Sequence, residues 1–152
     1  DTYFGKPESP VVLITCHEAL FIEAEAAFRA GDANRAATAL NAAVKESILK
    51  YTGAADPVYE GTFASETAGS VTMEKIMNEK YKGMFIQEIE SWTDQRRHDF
   101  QFPTGIEIPK FADGSPVATE FVRRLITTQS ELTNNTSAPK GITQFDRVWW
   151  DK

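Results

Sequence analysis

Two stretches of helical periodicity, separated by Gly31-Asp32, constrain the fold of this chain more than any other feature of its sequence. In residues 10–30 apolar side chains recur at intervals of three and four, and residues 32–51 repeat the pattern. That spacing places them on one face of an α-helix. Gly31 is typical of a helix end and Asp32 of an N-cap. Residues 10–51 are therefore predicted to form an antiparallel helical hairpin.

An apolar stripe on each helix is predicted to hold this hairpin together. The first stripe comprises Leu13, Cys16, Leu20, Ala24 and Ala27, widened by Phe21 and Phe28. The second comprises Ala37, Leu40, Val44 and Ile48. Small residues on facing sides let two helices approach closely, and an Ala-Gly-Asp turn resembles that of a tetratricopeptide repeat. The first helix is predicted to start at Ser9-Pro10, because proline is tolerated in a first turn.

Beyond the hairpin, a long loop is predicted to precede a long helix. Residues 53–70 are rich in glycine, alanine, serine and threonine, and a loop of that length is usually functional or mobile. Thr72 is a suitable N-cap, and Val71 and Ile76 have the spacing of a hydrophobic staple. A third helix is therefore predicted over 72–98. Its apolar face would comprise Met77, Tyr81, Met84, Phe85, Ile89 and Trp92.

Residues 99–152 are predicted to form an irregular segment that wraps on the helices, because prolines and glycines interrupt it repeatedly. Within it, 106–108 is a candidate short strand, 113–114 a candidate turn and 121–126 a candidate short helix. The sequence thus predicts a mainly α fold, with tetratricopeptide-like helical hairpins and an irregular C-terminal part. Residues 1–152 are predicted to be one domain or a fragment of a larger one.

Charge and composition exclude several classes of partner. The net charge of -6 and the pI near 5.0 argue against nucleic acid and against adhesion to an anionic membrane. The single cysteine excludes an intrachain disulfide. No signal segment or membrane-spanning run is apparent, and the start at Asp1, without a methionine, indicates a mature or truncated piece.

No catalytic, metal or cofactor site is predicted. Cys16 and His17 are neighbours in a helix and point about 100° apart, so they do not predict a catalytic dyad, and Cys16 is interpreted as a small core residue. Together with the distant His98 they make a poor zinc cage. Glycine-rich nucleotide-binding motifs are absent. The helical acids are interpreted as solvated faces, namely Glu23, Glu25 and Glu46.

Aromatic side chains are the remaining candidates for ligand contact, since sugar rings stack on them. Tyr59 and Phe63 in the long loop are predicted to be the best exposed pair, with loop anchoring as the plainer interpretation. Trp92 is predicted to pack in the core under the third helix, with Asp94 paired to Arg96, to Arg97 or to a loop backbone group. The adjacent Trp149 and Trp150 are predicted to be packed down. No ligand-binding residue is assigned.

Several segments, in order, resemble those of one known family. They include Ala-Gly-Asp (30–32), Lys-Tyr-Lys-Gly-Met-Phe (80–85), Glu-Ser-Trp-Thr-Asp-Gln-Arg-Arg (90–97), Phe-Pro (102–103), Arg-Arg-Leu-Ile (123–126), Gln-Ser-Glu-Leu (129–132) and Val-Trp-Trp-Asp (148–151). This arrangement resembles the C-terminal portion of the SusD/RagB family of bacterial surface nutrient-binding lipoproteins. It departs from that family at 127–129, where Thr-Thr-Gln replaces the Tyr-Pro often found before the Ser-Glu pair.

The resemblance implies a helical, repeat-based scaffold at the outer-membrane surface of a Bacteroidetes-type bacterium. It implies an N-terminal lipid anchor, absent from this chain, and docking on a SusC-like TonB-dependent transporter. The implied function is non-catalytic capture of oligosaccharides or other nutrients and their delivery to that transporter. The alternative is a free-standing tetratricopeptide-like module that binds a peptide or partner protein in a helical groove.

Overall fold

In the computed structural model, residues 6–9 and 11–151 are described, with only the backbone of Glu88. The described residues contain helices α1 (Cys16–Arg29), α2 (Ala33–Thr52), α3 (Pro57–Phe63), α4 (Met73–Gly83), α5 (Glu88–Arg97) and α6 (Gln129–Asn134). They contain no strand beyond an isolated bridge between Lys110 and Pro116. The prediction of a mainly α fold is confirmed. The chain divides into a first compact unit ending at Ser91 and a second beginning at Trp92.

The predicted hairpin forms from α1 and α2, and its capping residues explain the bounds of both helices. Thr15 and Glu18 form a capping box at the start of α1, which satisfies backbone N–H groups that lack partners within the helix. Gly31 has a φ of 82°, a left-handed conformation that glycine adopts without strain. Asp32 then accepts a hydrogen bond from the Arg35 N–H at 3.0 Å and caps α2, as predicted.

The hairpin core is apolar and closely packed, and the predicted stripe of α1 is buried at Phe21, Ala24 and Ala27 but not at its N-terminal end. The fully buried apolar residues of the pair are Phe21, Ala24, Ala36, Leu40, Ala43 and Val44. Leu13 and Cys16 are exposed, so their predicted burial is wrong. The reason is that α1 begins only at Cys16, and His17 points inward in its place. The predicted start at Pro10 lies outside the described residues.

One of the predicted solvated acids is also buried. Glu25 lies on the inward face of α1 and accepts a hydrogen bond from Arg29 Nε at 2.8 Å. That pairing offsets part of the cost of removing a carboxylate from water. Glu46 is exposed, as predicted, and Glu23 is partly exposed beside Arg35.

Helix α4 packs on both helices of the hairpin. Thr72 caps it by accepting a hydrogen bond from the Lys75 N–H, as predicted. Val71 and Ile76 are both buried, in agreement with the predicted hydrophobic staple. A Cβ atom placed on Gly83 would lie 2.7 Å from Phe21 Cε2, so only glycine lets the end of α4 approach the hairpin this closely.

The prediction of one helix over 72–98 is wrong, because the chain breaks between α4 and α5. Ile86 has a φ of 70°, which a right-handed helix cannot contain and which is strained for a β-branched residue. Tyr81, within α4, is 44% exposed, so its predicted burial is wrong. Beyond Met84, Phe85 and Ile89 of the predicted apolar face are 61% and 75% exposed. A change of chain direction at Ile86 turns these side chains away from the face of α4.

The predicted loop over 53–70 contains the short helix α3, so the loop prediction is wrong for that part. Asp56 precedes Pro57, and an N-cap followed by proline is a helix-start signal. The rest of this segment is tied to α2 by the Asn41 side chain, which donates to the Glu66 carbonyl at 2.8 Å and accepts from its N–H at 2.9 Å. Lys75 Nζ also pairs with Glu66 at 2.8 Å.

The second unit is mostly irregular, as predicted, but two of its predicted elements are absent. Residues 106–108 form no strand. The β-bridge near them, between Lys110 and Pro116, is isolated. Residues 121–126 form no helix, and α6 follows them instead. The turn at 113–114 is confirmed, with Gly114 N–H donating to the Phe111 carbonyl at 2.9 Å. No helix within residues 6–9 and 11–151 has the length and apolar character needed to cross a bilayer.

Candidate functional site

Helix α3 brings the two predicted surface aromatics together. Asp56 accepts hydrogen bonds from the backbone N–H groups of Val58 and Tyr59 at 3.1 and 3.0 Å, which fixes the first turn. Tyr59 and Phe63 are four residues apart and therefore share one face of the helix. Their ring centroids lie 4.5 Å apart, with the ring planes inclined by 42°. The pair is thus held on a helix rather than in a loop.

Helix α4 adds a carboxylate, that of Glu79, and an ammonium group, that of Lys82, to this pair. The four residues Tyr59, Phe63, Glu79 and Lys82 form what we term the aromatic cluster. Lys82 Nζ lies 4.4 Å from the Phe63 ring centroid and 5.6 Å from that of Tyr59, within cation–π range. It also donates to Glu79 Oε1 at 2.5 Å. The Tyr59 hydroxyl donates to Glu79 Oε2 at 2.8 Å, so one carboxylate orients both neighbours.

The aromatic cluster is buried at its base and open at its rim. Glu79 is buried, Tyr59 is half-buried, and Phe63 is 36% exposed. The Lys82 side chain retains about half of its exposure to solvent. The open parts therefore present an aromatic ring beside an ammonium group and a phenol. This combination suits a ligand that has an apolar face and hydroxyl groups at its edge.

The protonation states of the aromatic cluster favour binding over proton transfer. Burial and the hydrogen bond to Glu79 raise the pKa of Tyr59. Burial alone would lower the pKa of Lys82, but its bonds to Glu79 and Tyr59 outweigh burial and raise it. A general acid or base works best with a pKa near the operating pH, and both groups move away from neutrality. At neutral pH the cluster thus holds a neutral phenol and a charged ammonium.

The first unit also contains a recess, lined by both polar and apolar groups, between the segment before α1 and the turn after α4. It has a volume of about 350 Å³ and is lined by Lys6, Ser9, Val11, Val12, Tyr51, Phe85, Ile86 and Gln87. A second recess of about 430 Å³ shares Val12, Ile86 and Gln87 with it and extends to Ile89. Sequence reasoning missed both, because it placed Phe85 and Ile89 on the buried face of a continuous helix.

In the second unit, Trp92 and Trp150 pack against Arg96 and do not fill an apolar core. Arg96 lies 3.7 Å from the ring centroid of Trp92 and 4.5 Å from that of Trp150. Trp92 is half-buried, and its Nε1 donates to the Val122 carbonyl at 2.8 Å. The prediction that Trp92 packs under the third helix is therefore wrong, since its helix α5 is separate. Trp149 is 89% exposed, which also contradicts its predicted burial.

An ion-pair network organises the rest of the second unit. Arg123 Nη1 donates to the buried Asp151 at 2.8 Å, and its Nη2 pairs with Asp99. Arg147 reaches the same Asp99 oxygen at 2.7 Å. Asp94 pairs with Arg97 at 2.6 Å, which is one of the predicted alternatives. Sequence reasoning did not identify the Arg123 network, because its members are far apart in the chain.

The remaining candidates from the sequence do not come together as a site. Cys16 is exposed, so its interpretation as a core residue is wrong, whereas His17 is buried. His98 packs edge-on against Phe102 with ring centroids 5.4 Å apart. Across the part of the chain that the structure describes, no group of three or more histidine, cysteine or acidic side chains could hold a metal ion.

Comparison with known proteins identifies a family. A SusD-like family model, described as starch-binding and associating with the outer membrane, matches residues 2–118. The match includes the hairpin, the aromatic cluster and helix α5. No curated protein and no solved structure matches the chain.

Proposed function

The chain belongs to this SusD-like, starch-binding family that associates with the outer membrane, and we propose that it captures starch-like oligosaccharides at the cell surface without catalysis. The family match, over more than half of the chain, is the observation that carries the proposal. We further propose that the protein is a lipid-anchored lipoprotein of a Bacteroidetes-type bacterium and delivers its ligand to a SusC-like TonB-dependent transporter. The transporter and the anchor are supported by the resemblance of the segments at 80–85, 90–97 and 148–151.

Within this chain, the aromatic cluster is the proposed glycan-contact site. Its exposed Phe63 ring offers an apolar surface to the C–H face of a sugar, while Lys82 and Tyr59 can hydrogen bond with sugar hydroxyls. Glu79 holds these two polar groups in place, so little side-chain freedom is lost on binding. The raised pKa values of Tyr59 and Lys82 support binding without acid–base chemistry.

Calorimetric titration of the purified protein with maltoheptaose tests this proposal. Phe63→Ala is expected to weaken binding by about tenfold, because loss of a stacking surface costs roughly 1 kcal/mol or slightly more. Phe111→Ala is the matched control, since it removes an exposed phenylalanine of the second unit that is not part of the aromatic cluster. The control is expected to bind as the unaltered protein does.

Two results would contradict different parts of the proposal. If the unaltered protein binds neither maltoheptaose nor soluble starch, the proposed ligand class is wrong for this chain. If Phe63→Ala binds maltoheptaose as tightly as the unaltered protein, a glycan site exists but lies outside the aromatic cluster.

The alternative, a module that binds a partner protein, has one observation in its favour. Exposed aliphatic and aromatic side chains lie at and near the two recesses of the first unit, which is more typical of protein contacts than of sugar sites. These side chains are Val11, Leu13, Ile14, Phe85, Ile86 and Ile89. Under the glycan proposal, Phe85→Ser leaves maltoheptaose binding unchanged; a loss of binding in this variant would place the ligand in the recess instead.

A further inference from the structure

Trp149 differs from the other two tryptophans because its ring lies in solvent. Its side chain is 89% exposed, whereas Trp92 and Trp150 are half-buried. A tryptophan is a large apolar side chain that usually stabilises a fold by being buried, so its near-complete exposure calls for an explanation. The chain around Trp149 is closely held, and the exposure therefore does not come from a lack of local structure.

A closed turn presents the Trp149 ring to solvent. The Asp151 N–H donates to the Val148 carbonyl at 3.0 Å, so residues 148–151 form a turn with the two tryptophans at its centre. Trp150 packs inward, with its ring centroid 4.5 Å from the Arg96 guanidinium. Trp149 is thus the outward member of a pair whose inward member anchors the turn.

Ion pairs hold both ends of this turn. The Asp151 side chain is fully buried and accepts from Arg123 Nη1 at 2.8 Å. Arg147, just before the turn, donates to Asp99 Oδ1 at 2.7 Å and lies 3.5 Å from Asp151 Oδ1. The backbone that carries Trp149 is therefore fixed before a ligand arrives. A large ring with only two side-chain torsions then loses little conformational entropy on binding.

The surface at Trp149 favours a sugar ring over a protein or a lipid surface. One indole has the size of one pyranose, whose C–H groups form an apolar face that stacks on an aromatic ring. A single side chain supplies little of the roughly 800 Å² that each partner buries in a stable protein interface. Arg147 is engaged with Asp99 and Asp151, and the net charge of -6 opposes an anionic membrane.

We propose that Trp149 is a second glycan-contact point, on which one glucose ring of a starch-like oligosaccharide stacks. It lies outside residues 2–118, which the family model matches, and in a different unit from the aromatic cluster. This second contact rests on the proposed function, which supplies the class of ligand. Arg96, Arg123 and Asp151 are positioning residues, since they hold the turn and leave the Trp149 ring free for the sugar.

Acrylamide quenching of tryptophan fluorescence tests this contact in the unaltered protein. The first unit contains no tryptophan, and acrylamide preferentially quenches exposed indoles, so Trp149 dominates the quenchable emission. Saturating maltoheptaose is expected to protect that emission from acrylamide. In Trp149→Phe the remaining emission comes from the half-buried Trp92 and Trp150 and is expected to show no such protection. The measurement on the unaltered protein does not require any variant to fold.

Affinity electrophoresis in gels that contain soluble starch measures the strength of the contact. The apparent Kd of Trp149→Ala is expected to rise about tenfold, because the polymer loses one of two stacking contacts with each protein molecule. Trp149→Tyr keeps an aromatic ring and is expected to recover most of the retardation. Leu125→Ala is the matched control, since Leu125 is 81% exposed in the second unit and has no ring, and it is expected to behave as the unaltered protein.

The outcomes separate the second contact from the proposed function. If calorimetry shows maltoheptaose binding while acrylamide quenching stays unchanged, Trp149 is not a glycan contact and the proposed function stands. If neither calorimetry nor electrophoresis shows glycan binding, both proposals fail together. Equal retardation of Trp149→Ala and the unaltered protein would also overturn the contact. So would protection of Trp149 by anionic phospholipid vesicles and not by maltoheptaose, which would make it a membrane contact.

Discussion

At the scale of single residues, Gly83 packs closely against the hairpin. Its position against Phe21 leaves no room for a side chain, and Ser47 Cβ is 3.5 Å from the place that a Cβ would occupy. The same glycine offers its carbonyl to Tyr51. One residue thus combines the close approach of α4 to the hairpin with the hydrogen bonds that hold its end.

Gly83→Ala is expected to lower the free energy of unfolding by about 1–3 kcal/mol, because the methyl group would overlap the Phe21 ring in a well-packed core. Gly61→Ala is the matched control, since Gly61 lies in α3 and has no atom within 4 Å of its would-be Cβ. Alanine favours helix there, so this variant is expected to be as stable or slightly more stable. Urea unfolding followed by far-ultraviolet circular dichroism compares them; equal midpoints would contradict the overlap.

A second residue, Asp99, makes the stability of the second unit depend on pH. The hydrogen bond from Arg123 holds its pKa below the usual value, with a further contribution from Arg147. A depressed pKa means that the carboxylate stabilises the folded state above the unfolded pKa of about 3.9, and that this contribution is lost as the pH falls through the lower folded value.

Asp99→Asn is therefore expected to lower the urea midpoint at pH 7, and this difference is expected to shrink as the pH falls through the folded pKa of Asp99. Tryptophan fluorescence is the suitable measurement, because all three tryptophans lie from Trp92 onward in the second unit. A difference in midpoint that stays constant from pH 7 to pH 2 would show that Asp99 acts through packing instead of charge.

At the scale of elements, polar caps define where most of the helices begin. The N-cap side chains that accept backbone hydrogen bonds are Thr15, Asp32, Asp56, Thr72 and Thr128. Each satisfies N–H groups in a first turn that have no partner within the helix. At the start of α1 this matters most, because the position of Thr15 decides that His17 rather than Cys16 points into the core.

Thr15→Ala is expected to lower the free energy of unfolding of the first unit by about 1 kcal/mol, because it removes the capping box with Glu18. Thr38→Ala is the control: Thr38 is exposed within α2 and bonds only to the Asn34 carbonyl of its own helix. That variant is expected to change stability by less than about 0.5 kcal/mol. Circular dichroism during urea unfolding distinguishes the two, and equal effects would argue against a specific role for the cap.

At the scale of the whole molecule, the two units are held together internally by different forces. The first has an apolar core of closely packed helices around Phe21 and Leu40. The second has little regular structure, and Arg123 joins distant parts of it through Asp99 and Asp151. A unit with few helices or strands has few regular backbone hydrogen bonds, so it depends more heavily on such side-chain ion pairs.

Arg123→Gln is expected to destabilise the second unit by about 3 kcal/mol, because it leaves the buried Asp151 with weaker compensation. The tryptophan fluorescence midpoint in urea should fall, and the segment after α6 should be cleaved faster by trypsin. Lys110→Gln removes an exposed ion pair with Glu107 and is expected to change neither measurement. Unchanged fluorescence in Arg123→Gln would show that the network is not needed for this unit.

Local signals were sufficient to predict much of the first unit. The hairpin, its turn at Gly31, and the caps Asp32 and Thr72 all follow from periodicity and capping chemistry, which act over a few residues. The same holds for the pairing of Asp94 with Arg97, one turn apart on a helix. The resemblance that led to the family also rests on short ordered segments, and the family match confirms it.

Tertiary structure alone decided which distant side chains meet. Periodicity could not reveal the break at Ile86, because the apolar spacing of the sequence continues through this residue. The positive φ of Ile86 depends on the path of the chain after α4. The meeting of Tyr59 with Lys82, and of Arg123 with Asp151, joins residues more than twenty positions apart. Sequence by itself determines the hairpin helices, their caps and the family, since these depend on local preference. The clusters depend on which distant side chains are brought together by packing.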